Sequence, residues 1–261
     1  MDIALYILAG AAVGLAVGLT GVGGGSLMTP LLILFGFPYN VAIGTDLLYA
    51  AITKSSGVIS HHRHKSINWR LVSLLGAGSI PASLITIFVL NLGFVNADEY
   101  KPVLTSALGV MLILTSLVLF FRPYLQKSQM ESESAQPSWI KRHSSPVMFA
   151  SGVFLGVFVT LSSVGAGALC AALLLMLFPR LTPQQVVGTD IAHAVPLTLI
   201  AGLGHLLLLN NVDLRLLGCL LIGSLPAIHL GTKLGANIPK NILHPVLATI
   251  LLGIGAKFAF F

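Results

Sequence analysis

Two copies of Gly-Thr-Asp, Gly44-Thr45-Asp46 and Gly188-Thr189-Asp190, stand inside long apolar runs. A carboxylate in such a run costs about 2.5–3.5 kcal/mol on membrane-insertion scales, which makes each a candidate functional group by default. Thr45, Asp46, Thr189 and Asp190 fit two tasks. They would cap the apolar helix that follows, by accepting its first-turn N–H groups, or they would handle substrate and protons. Lys54 lies two helical turns beyond Asp46, on the same face but out of reach, so it requires another partner. Its charge either snorkels to the interface or serves the path of an anion. His193 follows Asp190 by one turn, and His205 stands near the end of the same apolar segment. Imidazole titrates near neutral pH, so Asp46, Asp190, His193 and His205 form a proton-coupling candidate set; packed, hydrogen-bonded histidines are the plainer alternative.

A second chemistry comes from glycine. The stretch "LTGVGGGSLMTP" (19–30) interrupts an apolar run with Gly23, Gly24 and Gly25, and Gly165 and Gly167 stand in the same place in the second half of the chain. Lipid satisfies no free backbone N–H or C=O, so irregular backbone at depth survives only where protein or a water-filled cavity covers it. Successive N–H groups in a tight turn that opens into a helix N-terminus attract anions. Gly23, Gly24, Gly25, Gly165 and Gly167, with Thr45, Thr189 and Lys54, are therefore the candidate substrate-binding residues, for a small oxyanion. Gly10, Gly14 and Gly18 suit close helix packing instead. "GVGGGS" is not a nucleotide fingerprint: Ser26 breaks the GxGxxG pattern, and neither a preceding strand nor a following Lys is present.

The elements that must position these groups are membrane helices. Of 261 residues, 56% are hydrophobic and 8% charged, with a mean hydropathy of +0.94, whereas soluble domains carry about 25% charged residues. Apolar stretches of spanning length run over about 3–20, 41–60, 70–91, 103–121, 146–163, 186–209, 214–234 and 244–261. Two pieces, 26–36 and 168–178, are too short to cross alone. The expected fold is all-α, a polytopic transmembrane bundle of two homologous and inverted repeats, broken at the Gly-rich loops. Residues 1–121 form the first repeat, 122–145 a polar, mobile cytoplasmic linker, and 146–261 the second repeat. "GLAVGLTGVGGG" (14–25) aligns with "GVFVTLSSVGAG" (156–167), "VAIGTDLLYA" (41–50) with "QVVGTDIAHA" (185–194), and "NWRLVSLLGAGSIPA" (68–82) with "DLRLLGCLLIGSLPA" (213–227). Pro81 and Pro226 match across this repeat.

Repeats with interrupted segments in corresponding positions are the sequence mark of secondary transporters, with the site near the midplane and one half rocking against the other. If all ten segments cross, eleven of the fourteen Lys and Arg fall on one side, which the positive-inside rule makes cytoplasmic; with the short pieces re-entrant and the repeats parallel, ten do. The net charge of +6 reports topology rather than nucleic-acid binding. Cys170 and Cys219 sit in apolar runs and offer neither a disulfide framework nor a CxxC motif. His61, His62 and His64 in "SHHRHKSINWR" (60–70) lack zinc-site spacing and read as a basic interfacial loop. No metal, cofactor or catalytic residue is assigned: HExxH is absent, and an intramembrane enzyme would need a nucleophile–base pair. A non-transporting scaffold would leave the paired breaks without a purpose, and a channel remains the rival to a carrier.

With those motifs in place, the chain resembles the TauE/SafE (sulfite exporter) family of membrane transporters. The resemblance is carried by "GLTGVGGGSLMTPLLILFG" (18–36), "VAIGTD" (41–46), "SHHRHKSINWRLV" (60–72), "LSSVGAGAL" (161–169), "VVGTDIAHAVPLTLIAGLGH" (186–205) and "LIGSLPAIHLGTKLGANIP" (221–239). It implies a multi-pass protein of the bacterial inner membrane that exports small sulfur-containing anions such as sulfite or organosulfonates; carriage of another small anion is the alternative. The family's first-half motif often reads GTS where this chain has GTD, so a carboxylate facing an anion must be protonated or paired. Expected partners are a small anionic substrate, the lipid bilayer, a coupling proton and a second copy of the chain in a homodimer; nucleic acid is not among them.

Overall fold

The structure, a computed structural model, describes residues 3–20, 25–94, 97–131, 138–178, 180–235 and 240–260. Among these residues every regular element is helical: α1 Ile3–Thr20, α2 Gly25–Leu34, α3 Tyr39–Arg63, α4 Trp69–Gly93, α5 Ala97–Glu131, α6 Ser138–Ser162, α7 Ala168–Leu177, α8 Pro183–Leu207, α9 Leu214–Gly235 and α10 Lys240–Phe260. Among the described residues five stretches are long and apolar enough to cross a membrane: Trp69–Gly93, Glu99–Phe121, Ser144–Ser162, Pro183–Leu207 and Leu214–Leu234. At 1.5 Å per residue a 25-residue helix reaches about 37 Å, whereas the ten-residue α2 and α7 reach about 15 Å, half a hydrocarbon core. The outer surface is apolar: Ile85, Phe88, Val89 and Leu92 on α4 all lie exposed on the chain's surface, as lipid-facing residues do.

Two expectations change. The linker is helical over most of its length, because α5 continues to Glu131 and α6 already begins at Ser138; residues 132–137 lie outside the described set. The Gly-Thr-Asp motifs do not cap their own helices. α3 starts at Tyr39 after Pro38, and α8 starts at Pro183 behind a Thr182–Gln185 capping box, so both motifs sit in the second turn. Pro183 at the first helical position and the Thr182 hydroxyl already supply the start signals.

Small residues set the packing. A Cβ on Gly10, Gly14 or Gly18 of α1 would collide with backbone of α9 at Leu220, Ser224 and Ile228; one on Gly152 or Gly156 of α6 would collide with α4 at Leu75 and Ser79. Both pairs therefore run parallel with backbones in close approach. Shifting the α6–α4 contacts by the repeat offsets reproduces those of α1–α9. α3 and α8 run antiparallel, with Gly44 against His205, Leu48 against Gly202 and Gly57 against Ile191. α5 and α10 are likewise antiparallel, through Gly109 against Ala259 and Ser116 bonded to Ala248.

Core clusters follow these contacts rather than the sequence halves. One buried cluster joins Val13 of α1, Met28 and Leu32 of α2, Tyr49 of α3 and Leu220 of α9. On the other side α4 packs on α6 and α8, and α7 on α8 and α6. The halves exchange α4 for α9, so the expected rocking of half against half becomes a question of two mixed bundles meeting along α3 and α8. α1 and α3 both run parallel to α9, through Gly10–Leu220 and Thr45–Asp213. Between α1 and α3 the described residues hold one helix, the ten-residue α2.

Candidate functional site

The second break is the best-defined part of the site. α6 ends at Ser162, Ser163 has φ +58° and Gly165 φ +105°, and α7 begins at Ala168. Positive φ at Gly165 carries no Cβ penalty, while Ser163 is an uncommon non-glycine case. The loop from Ser162 to Ala166 is buried, so its polar backbone needs partners. Ser163 N–H donates to the Val159 carbonyl at 2.7 Å, Val164 N–H to the Ser162 hydroxyl at 3.2 Å, and Gly167 N–H to the Gly165 carbonyl at 2.8 Å. Those N–H groups were expected to hold an anion, and two of them close the loop on itself instead. The first-turn N–H groups of α7 keep the open ends that any helix start has.

The Ala166 carbonyl has a partner from the other side of the molecule. Lys54, three residues past the middle of α3, donates from Nζ to this oxygen at 2.6 Å. Lys54 thus neither snorkels outward nor reaches Asp46 directly; it bridges α3 to the α6–α7 break. Its charge acts on both Asp46 and Asp190. Lys54 with the two carboxylates gives the cluster a net charge of −1 when all three are ionised.

Asp46 and Asp190 face the short helices of their own halves. Asp46, fully buried, accepts a hydrogen bond from the Thr29 hydroxyl of α2 at 2.5 Å, and the Ser163 side chain lies against the same carboxyl. Asp190 lies beside the Cys170 thiol of α7. His193, one turn on, is hydrogen-bonded through Nε2 to the Ser79 hydroxyl at 2.8 Å, with Nδ1 3.9 Å from Cys170 Sγ. At the repeat-equivalent place Tyr49 meets Ser224. His205 donates from Nε2 to the Thr160 carbonyl at 3.0 Å, since a carbonyl can only accept.

The threonines of the two motifs do structural work across the repeat. Thr45 accepts the Asp213 N–H at 3.2 Å ahead of α9, and Thr189 accepts the Asn68 N–H at 3.0 Å ahead of α4. Each holds the residue that caps a helix of the opposite half, since the Asp213 side chain accepts from the Leu216 N–H of α9 and Asn68 from the Leu71 N–H of α4, and the flanking glycines permit this: a Cβ on Gly44 or Gly188 would strike the carbonyl of Asn211 or Ser66.

Of the candidate residues, the fold gathers Asp46, Lys54, Asp190, His193, Gly165 and Gly167 around the second break. His205 stands farther along α8, near the α3 N-terminus. Gly25 opens α2, whereas Gly23 and Gly24 lie outside the described residues. Sequence reasoning missed Thr29, Ser79, Thr160 and Ser163. The serine repeated in "GSIPA" and "GSLPA" was a usable signal for Ser79, but nothing singled out Thr29 within an apolar helix. His61 and His64 bond locally, to the Ser66 hydroxyl at 2.7 Å and the Ser60 carbonyl at 2.8 Å. Among the described residues no group of three potential metal ligands occurs.

Comparison with known proteins places this architecture. The sequence model of the family described as "Sulfite exporter TauE/SafE" matches residues 6–258. The chain is similar to the probable membrane transporter protein YjnA of Bacillus subtilis, 38% identical over 96% of this chain and 97% of that protein. It is also similar to the probable membrane transporter proteins YdhB of Bacillus subtilis, 27% identical over 95% and 99% of the two chains, and MJ0441 of Methanocaldococcus jannaschii, 26% identical over 95% and 91%. No solved structure matches it significantly. A family match over nearly the whole chain, joined to an all-helical bundle with buried carboxylates beside its two short helices, has one consequence: the chain belongs to the sulfite exporter TauE/SafE family of membrane transporters.

Proposed function

We propose that the chain is a secondary transporter that exports small sulfur-containing anions, such as sulfite or organosulfonates, across the bacterial inner membrane by alternating access. The observation that carries this reading is the Lys54–Ala166 contact: a cation from one helix bundle held at a buried break in the other, between Asp46 and Asp190. The family description supplies the sulfur-anion class. The two halves are read as inverted repeats, a reading supported by the antiparallel register of α3 with α8 and of α5 with α10. Repeats related by an axis along the membrane normal would place corresponding helices parallel. Access then alternates as the bundle of α1, α2, α3 and α9 tilts against that of α4, α6, α7 and α8, with Lys54 as the latch across the seam.

Charge balance gives the coupling. The ionised cluster stands at −1, and an incoming anion adds to it. At an effective dielectric of about 20, two like charges about 6 Å apart repel by roughly 3 kcal/mol. Protonation of a carboxylate offsets this and frees Lys54 to meet the anion, so protons and anion share the cycle. Flux of radiolabelled sulfite in proteoliposomes tests the reading. Saturable transport that responds to an imposed pH gradient, with the pH response lost in Asp190→Asn, is expected. Non-saturable flux would replace the carrier with a channel, and absence of flux for sulfite and all organosulfonates would end the substrate assignment.

A further inference from the structure

We propose that the groove between α4 and α8 is an apolar subsite for the hydrocarbon part of an anionic substrate whose head group lies at the His193 side of the polar cluster. The proposal rests on the transporter reading above and adds a preference for substrates with an organic tail. The groove holds about 450 Å³ and is lined by Val72, Ser73, Gly76, Ala77, Ile80, Pro81, His193 and Pro196. It opens at the surface of the bundle, where Ala77 and Pro81 are exposed, and its inner wall is His193, which is only 1% exposed. That histidine belongs to the site already described. Its ring reaches Ser79 and Cys170, the thiol lies beside Asp190, and the charge of Lys54 acts on it. One wall of the groove is therefore continuous with the charged cluster that contains Lys54, while the rest is hydrocarbon.

An independent observation comes from the repeat. Applying its offset of 145, Gly76 and Ala77 of α4 correspond to Leu221 and Ile222 of α9. The small pair stands only on the side where the facing residue is His193; on the α9 side the facing residue is Tyr49. A Cβ on Gly76 would meet nothing closer than the Ile80 side chain at 3.8 Å, so small size is not demanded there by packing. Beside the imidazole α4 therefore carries glycine and alanine, where α9 carries Leu221 and Ile222. A second trough of about 660 Å³ continues from Pro81 past Leu84, Ile85 and Phe88, which extends the apolar path along α4.

An anionic amphiphile matches both parts: a sulfonate or similar oxyanion head directed to the Lys54 end, and a short alkyl chain in the groove. The test uses the full-length protein in proteoliposomes, with sulfite and the alkanesulfonate series from methane- to hexanesulfonate as competitors of one another. For the wild type, the half-saturating concentration is expected to fall up to about fourfold per added methylene over the first carbons, the ratio that burial of a CH₂ supplies. In Gly76→Leu/Ala77→Ile, which installs the α9 residues, this chain-length dependence should vanish while sulfite flux is retained. Comparing the two proteins cancels partition of longer chains into the bilayer. Should the double variant fail to insert, Ala77→Phe alone, at an exposed position, reads the same dependence. A wild type that carries sulfite with no chain-length dependence overturns the subsite and leaves the transporter reading standing, as does a filled groove that keeps the dependence. If neither sulfite nor any sulfonate is carried, both readings fall together.

Discussion

Lys54→Met is the most informative single change, because it keeps the length of the side chain and removes only the charge and the hydrogen bond to Ala166. A hydrogen bond to a charged group contributes about 1.5–3 kcal/mol, and the buried carbonyl left behind loses its partner. Lys54 is half-buried, which favours the lower part of that range. About 2 kcal/mol, a roughly 30-fold shift in the unfolding equilibrium at 1.4 kcal/mol per decade, is the expected loss. Removing the cation also takes its charge away from both Asp46 and Asp190. Neutralising one carboxylate should therefore recover part of the loss, and the coupling energy between Lys54→Met and either Asp46→Asn or Asp190→Asn should fall at about 0.5–3 kcal/mol, as for residues of one network. The assay is a double-mutant cycle on unfolding in mixed detergent micelles, with flux measured in parallel. A Lys54→Met loss that is the same in all three backgrounds would show that the lysine does not sense the carboxylates. The charge-balance argument would then be wrong.

Two further outcomes follow from the backbone. Gly165→Ala should cost about 1–3 kcal/mol, because φ is +105° there and the Met111 methyl occupies the place of the new Cβ; an unchanged thermal midpoint would refute the strain argument. Cysteine labelling at His64→Cys and Leu208→Cys, both exposed in a chain whose own Cys170 and Cys219 are buried, should occur from opposite faces of the membrane; labelling of both from one face rejects the inverted arrangement.

The helix inventory was legible in the sequence because lipid leaves so few alternatives. A chain this apolar must satisfy its backbone within each segment, so the lengths of apolar runs nearly coincide with the helices, and α2 and α7 were recognisable as too short. The glycines of α1 were assigned to packing on spacing alone, and the structure seats them on α9. Local signals failed at the motif Gly-Thr-Asp. Glycine followed by two cap-forming residues reads as a helix start, yet the actual starts lie five to six residues earlier, and Thr45 and Thr189 hold cap residues 168 and 121 residues away in the chain. No periodicity contains that information.

What the sequence determined by itself was the solvent, the helices and the inventory of buried charge, since each depends on residue type and spacing along the chain. Only the tertiary structure decided which charge meets which: that Lys54 reaches Ala166, that Thr29 holds Asp46, and that α4 and α9 change places between the halves. The reason is geometric. Burial of a polar group compels it to find a partner, but many hydroxyls and carbonyls could satisfy that need, and the choice among them is made by how the helices pack.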